Sequence, residues 1–198
     1  AGAAGAGFLA PGGAPGTAAG DGADRLVLAL SWQPAFCETR PGRPECRALD
    51  TQDRAATRLS LHGLWPGGRE TAWCGAAAAF EDRRWSRLPE PGIDRETRAA
   101  LAEAMPGMRS GLHRYQWAKH GSCYGADADA YFDDALALMA ALDRSALGRL
   151  LAERVGGRVS AGEVRGALDR SFGVGTGARA RLVCRDGLVL EIRLALAG

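Results

Sequence analysis

The residues with the clearest chemical potential in this chain are two histidines and a lysine. Three histidines occur in all, His62, His113 and His120. Of the 25 Lys and Arg residues only Lys119 is a lysine, and it stands immediately before His120. A lone histidine is more often structural or merely exposed than catalytic, but the local contexts argue otherwise for two of them. His62 closes a predicted strand over 58–62, just before Gly63, where a rigid element can deliver a side chain to a cleft. His120 falls in the last turn of a predicted helix, where the helix dipole favours a cation. The bland reading of Lys119 is a chance survivor in an arginine background. The sharper one is a compact ammonium that must meet a phosphate oxygen, a task for which arginine's planar fork is not interchangeable. Two imidazoles and an ammonium suit phosphodiester cleavage by internal transfer. One ring removes the proton of a ribose 2′-hydroxyl, the other protonates the departing 5′-oxygen, and the cation neutralises the crowded phosphate. Such chemistry calls for no metal and no cofactor, and its need for a 2′-hydroxyl selects RNA over DNA.

The elements that must position these groups are legible from patterning. At 198 residues, 46 % hydrophobic and 24 % charged, the chain has the size and composition of one globular domain. A net charge of +2 does not predict binding to nucleic acid through bulk charge, so an anionic ligand must be held by local arrangement. No run approaches the roughly 18 consecutive apolar residues of a membrane-spanning helix, and no membrane association is expected. Residues 1–24 are almost wholly Ala, Gly and Pro and read as a flexible leader; 25–198 read as a single domain. The leader resembles no intact signal peptide but fits the stretch that follows a cleaved one.

Within the domain, 25–33 is a strand ending at Pro34, and the Pro-rich stretch from Cys37 to Cys46 reads as a loop without helix. The pattern at 58–62 is a short strand running into Gly63-Leu64-Trp65-Pro66, followed by a loop over 67–75. Helices are predicted at 94–105 with Asp94 as N-cap, at 110–120, at 127–142, at 145–154 and at 160–170. Strands at 180–184 and 188–196 flank Arg185-Asp186-Gly187, a hairpin signal. Strands at both ends around a helical middle give an α+β class, an antiparallel central sheet with several helices packed around it. The five cysteines, at 37, 46, 74, 123 and 184, form no C-x-x-C pair. They are either inert thiols or a disulfide set with one cysteine left over.

Two motifs then resemble a known family. Leu61-His62-Gly63-Leu64-Trp65-Pro66 is similar to the first active-site motif of the ribonuclease T2 family, and Tyr115-Gln116-Trp117-Ala118-Lys119-His120-Gly121-Ser122-Cys123 to its second. The opening strand with Ser31-Trp32-Gln33-Pro34 and Cys37 is also similar, and the bacterial periplasmic branch is the nearest in pattern. The resemblance spans about residues 25–196. It implies endonucleolytic cleavage of single-stranded RNA through a 2′,3′-cyclic phosphate, in the periplasm or secreted; a monomer without an obligate protein partner is also expected. His120 matches the family's general base for the transfer step, His62 its general acid, and Lys119 the lysine that stabilises the pentavalent phosphate. Trp65 matches an aromatic that stacks on a base; a core tryptophan is its bland alternative. Trp73 is a second stacking candidate, and Gln33 a candidate for a base edge.

The second motif also departs from the family. His and Glu are common where this chain has Tyr115 and Gln116. Tyr115 is expected to contact substrate, and Gln116 joins the catalytic set as an amide that can donate to phosphate but cannot act as a carboxylate. His113, two turns before His120, reads as an exposed side chain rather than a phosphate contact. The resemblance also pairs Cys37 with Cys46 and Cys74 with Cys123, leaving Cys184 as a free, largely buried thiol. Two rival readings remain at this stage. One is an RNA-binding relative whose catalysis is impaired by Gln116. The other is a zinc protein using His62, His120 and Cys123.

Overall fold

A computed structural model describes residues 26–67, 72–75 and 84–196; the predicted leader at 1–24 lies outside the described residues. Among these residues four strands form one fully antiparallel sheet: β1 (Leu26–Ser31), β2 (Ser60–Pro66), β3 (Ala180–Arg185) and β4 (Leu188–Ala195). Their spatial order is β2-β1-β4-β3, so the first and last parts of the chain pair at the centre. The helices are α1 (Gln33–Thr39), α2 (Pro44–Arg47), α3 (Arg54–Thr57), α4 (Arg95–Ala104), α5 (Leu112–Lys119), α6 (Ala128–Asp143), α7 (Ala146–Glu153) and α8 (Ala161–Phe172). The α+β reading from sequence holds.

The helix starts follow their caps. Asp94, Asp127, Ser145 and Ser160 each accept a hydrogen bond from a first-turn N–H, and Ser160 with Glu163 completes a capping box. The hairpin between β3 and β4 turns on Asp186 and Gly187, with φ of 51° and 79°. Positive φ at both central residues is the geometry that matches the twist of a two-residue hairpin. One prediction needs correction. The stretch from Cys37 to Cys46 is not free of helix, because α1 runs to Thr39 and α2 begins on Pro44. Proline breaks a helix interior, but it is tolerated in the first turn, where Pro34 and Pro44 both sit.

The two faces of the sheet have different compositions. On one face Leu28, Leu30, Leu61, Leu64, Ile192 and Leu194 are buried in the core with Tyr131, Phe132 and Leu101. On the other, Ala29 stands opposite Arg193 and Gly63, and Ser31 opposite Glu191. Strict alternation would not put both Leu61 and Leu64 in the core, since they are three positions apart. The register resolves this with a bulge: Leu30 pairs Leu61 and Ala29 pairs Gly63, so His62 is the extra residue on β2. A bulge of this kind re-aims a side chain, and here it brings His62 to the polar face. The strand is fixed just beyond it by Tyr131, whose hydroxyl donates to the Leu64 carbonyl at 2.8 Å and accepts from the Leu64 N–H at 3.4 Å. Burial raises the Tyr131 phenol well above its ordinary range, so it remains a donor.

Candidate active site

Trp65 is the hub of the polar face. Its ring meets His62 edge-on at 5.4 Å between centroids and stacks on His120 at 5.3 Å. Its Nε1–H donates to Gln116 Oε1 at 2.9 Å, and the Arg193 guanidinium lies 5.0 Å from its ring centroid. One indole therefore gathers groups from β2, β4 and the end of α5. Gly63 is required by this packing: a Cβ there would come within 2.1 Å of Gln116 Oε1. Trp65 is 5 % exposed, and its neighbours leave little ring surface for a base. This burial fits a core tryptophan, the bland alternative from sequence.

His62 is the more accessible imidazole, with its side chain 28 % exposed; His120 is 4 % exposed. His62 Nδ1 lies 2.6 Å from Glu191 Oε2, and Glu191 is also bonded to the Arg193 guanidinium. Burial pushes the Glu191 carboxyl up, but the hydrogen bonds and charges of His62 and Arg193 outweigh it and hold the group below its ordinary value of 4.5. Neither Glu191 nor Arg193 was expected from sequence. The available signal was a pair of charged residues two apart in an otherwise apolar strand, which share one face.

The second motif occupies α5 and the turn after it. His120 caps the helix, and its N–H donates to the Gln116 carbonyl at 2.9 Å. The Lys119 carbonyl accepts from Trp73 N at 2.7 Å, and the His120 carbonyl from Cys123 N at 3.0 Å. Cys74 and Cys123 are joined, closing a loop of 49 residues onto this helix end, and Cys37 with Cys46 closes one of 9. Both pairings are those the resemblance implied. The Cys123 sulfur is thereby removed from the zinc set weighed with His62 and His120. Cys184 is free, but it is exposed rather than buried, because β3 is the sheet's outer strand and its pairing shifts register at that residue.

A second cluster forms around Tyr115. Its ring stacks on Trp85 at 5.0 Å and meets Trp73 edge-on at 5.7 Å. Its hydroxyl accepts from Lys119 Nζ at 3.1 Å, and the Arg43 guanidinium covers Trp85 at 5.4 Å. Trp73 and Tyr115 are thus together, with Trp85 as a third ring that the sequence reading did not single out. Gln33 is elsewhere. It is buried at the start of α1, and its amide points to the Cys37 and Cys46 sulfurs, so the structure gives it no base edge to read. His113 is also corrected: it is 4 % exposed, with Nε2 3.0 Å from Glu90. Burial holds its imidazole below the ordinary value of 6.5 despite that carboxylate. It anchors the 84–91 segment to α5, where Arg114 also binds the Ser86 and Leu88 carbonyls.

Comparison with known proteins adds a family to this geometry. The model of the Ribonuclease T2 family matches residues 23–194. Ribonuclease I of Escherichia coli (strain K12) is 37 % identical over 203 residues, which covers 87 % of this chain and 75 % of that protein. Intracellular ribonuclease LX of Solanum lycopersicum is 27 % identical over 116 residues, covering 57 % and 46 %. Among solved structures, ribonuclease MC1 from the seeds of bitter gourd superimposes with a TM-score of 0.57 at 19 % identity, covering 88 % of this chain and 89 % of that one. RNase NT in complex with 5′-AMP gives a TM-score of 0.54 at 20 % identity, covering 88 % and 85 %.

Proposed function

This chain belongs to the ribonuclease T2 family, and from that premise we propose how its cleft cuts RNA. The protein is a T2-type endoribonuclease that forms a 2′,3′-cyclic phosphate and then hydrolyses it to a 3′-phosphate. In our assignment His120 takes the proton of the ribose 2′-hydroxyl, whose oxygen bonds to phosphorus. The bond from phosphorus to the 5′-oxygen breaks, and that oxygen takes a proton from His62. When water opens the cyclic phosphate the two rings exchange roles. Lys119 neutralises the charge on the pentavalent phosphate. Gln116 spends its amide oxygen on Trp65, which leaves its NH2 group as a donor for a phosphate oxygen.

Tyr115 and Trp73 are assigned to base stacking, where an aromatic contact contributes about 1–3 kcal/mol per base, and Trp85 extends that surface. Trp65 is assigned to positioning the two histidines. The catalytic set lies in a single chain, which supports a monomer with no obligate protein partner. Two disulfides support an oxidising destination, the periplasm or the medium. Among the described residues no helix is long and apolar enough to cross a membrane.

The observation that carries this reading is the convergence of His62 and His120, from motifs far apart in sequence, on one indole ring. The test is digestion of single-stranded RNA in EDTA with identification of the new 3′ ends. We expect undiminished cleavage, cyclic phosphate as the first product, and DNA left intact. Activity that is lost in EDTA and restored by a divalent metal would refute the assignment.

A further inference from the structure

The bulge that brings His62 to the polar face also removes it from the regular ladder of β2, so the sheet alone does not fix the direction of its ring. What the ring touches is Glu191. The carboxylate reaches it from β4, across the intervening strand β1, and the residues it must pass on that face are Ala29 and Ser31, both small. Glu191 is 8 % exposed in a strand whose other neighbours are largely apolar. Burying a carboxylate is costly unless it is paired, and here it is paired twice, to His62 and to Arg193. Arg193 in turn lies over Trp65, against which His62 also packs. The four side chains close a ring of contacts: His62, Glu191, Arg193, Trp65.

We propose that Glu191 is a positioning residue for catalysis: its carboxylate binds the Nδ1–H of His62 and so presents Nε2 to the scissile phosphate, with Arg193 clamping the carboxylate in place. This inference rests on the assignment of His62 as an acid–base group. An imidazole that hands a proton to the 5′-oxygen must carry it on the nitrogen that faces substrate, and the hydrogen bond made by the other nitrogen decides which one that is. A carboxylate can only accept, so it admits only the form with a proton on Nδ1. After the proton has left Nε2, the neutral ring retains Nδ1–H and Nε2 is ready to act as the base for the attacking water. An amide at position 191 could accept from or donate to Nδ1 equally well, and the ring would lose that single orientation.

A buried ion pair that serves stability alone predicts something different, and a double-mutant cycle separates the two. Steady-state kinetics on a dinucleotide would compare wild type, Glu191→Gln, His62→Ala and the double variant, alongside ¹⁵N NMR of the His62 ring in the wild-type protein. We expect Glu191→Gln to lower kcat by about tenfold or more, bounded by the roughly 10²–10⁴-fold weight of the acid itself, with KM nearly unchanged. In the His62→Ala background the same substitution should lower kcat no further, because Glu191 acts only through that ring. In wild type the neutral imidazole should carry its proton on Nδ1. The proposal is overturned by a folded Glu191→Gln protein with wild-type kcat, by an equal loss in both backgrounds, or by a neutral ring protonated on Nε2. The NMR result stands even if the variant does not fold. Full activity in His62→Ala would instead strike at the acid–base assignment itself.

Discussion

The Trp65 cluster and the Tyr115 cluster draw on adjacent residues of the same helix motif, Gln116 and His120 in one and Tyr115 and Lys119 in the other, yet the balance of their interactions differs. Around Trp65, on the sheet, the contacts are directional: Trp65 to Gln116 at 2.9 Å, His62 to Glu191 at 2.6 Å, and a strand pinned by Tyr131. Around Tyr115, on a helix and two loop segments, faces and edges of rings with cations over them predominate, and one directional bond joins Lys119 to the Tyr115 hydroxyl at 3.1 Å. Proton transfer needs fixed angles and distances, whereas stacking tolerates sliding and any base. On the proposed assignment the acid–base pair sits on a strand bulge and a helix end, beside rings carried by Tyr115 on that helix and by the Trp73 and Trp85 segments.

The largest expected effect breaks the directional cluster. His62→Ala or His120→Ala should each lower kcat/KM on a dinucleotide by about 10²–10⁴-fold, the usual weight of general acid–base catalysis. Wild-type turnover in both variants would empty the Trp65 cluster of its catalytic role.

The seam between the clusters is the Cys74–Cys123 bridge, which ties the Trp73 segment to the helix end carrying Lys119 and His120. Replacing both cysteines by Ser should destabilise the fold by about 4 kcal/mol, from the entropy of its 49-residue loop. The same change at Cys37 and Cys46, with a loop of 9, should cost roughly 2.5 kcal/mol. Denaturant unfolding measures both, and kcat/KM below the transition should fall only for the Cys74–Cys123 variant. An equal loss of activity in the two would show that the seam does not position the site.

The smallest effect is a change of chemistry inside the directional cluster. In Gln116→Glu a carboxyl oxygen can still accept from Trp65, and the second oxygen replaces the donor NH2. At a site 1 % exposed, burial would push the new carboxyl upward and extend the range in which it is protonated and can donate. Cleavage at mildly acidic pH should be about tenfold faster, or about 1.4 kcal/mol of barrier. Above neutrality the negative charge repels phosphate and the gain shrinks. A variant slower at every point across roughly pH 4–8 would show a site adapted to the amide.

Much of this was legible in sequence because its determinants are local. The N-caps at Asp94, Ser145 and Ser160 and the Asp186-Gly187 turn act over a few residues, and their elements formed as read. Gln33 and His113 were misplaced because burial is a tertiary property: each pairs with a partner that the local pattern does not name. The bulge at His62 had a signal, since Leu61 and Leu64 break the two-residue alternation. Glu191 and Arg193 had a weaker one, because their partners lie two strands away and are set by the order β2-β1-β4-β3.

The proposed assignment divides the labour, with His62 as acid and His120 as base in the transfer step. It is tested most directly by replacing the 5′-nucleoside with para-nitrophenol, whose anion departs without a proton. On a nucleoside 3′-(para-nitrophenyl phosphate), His62→Ala should recover most of the rate it loses on a dinucleotide, while His120→Ala should remain impaired. Equal impairment of both variants on the activated substrate, or recovery of His120→Ala alone, would contradict the assignment.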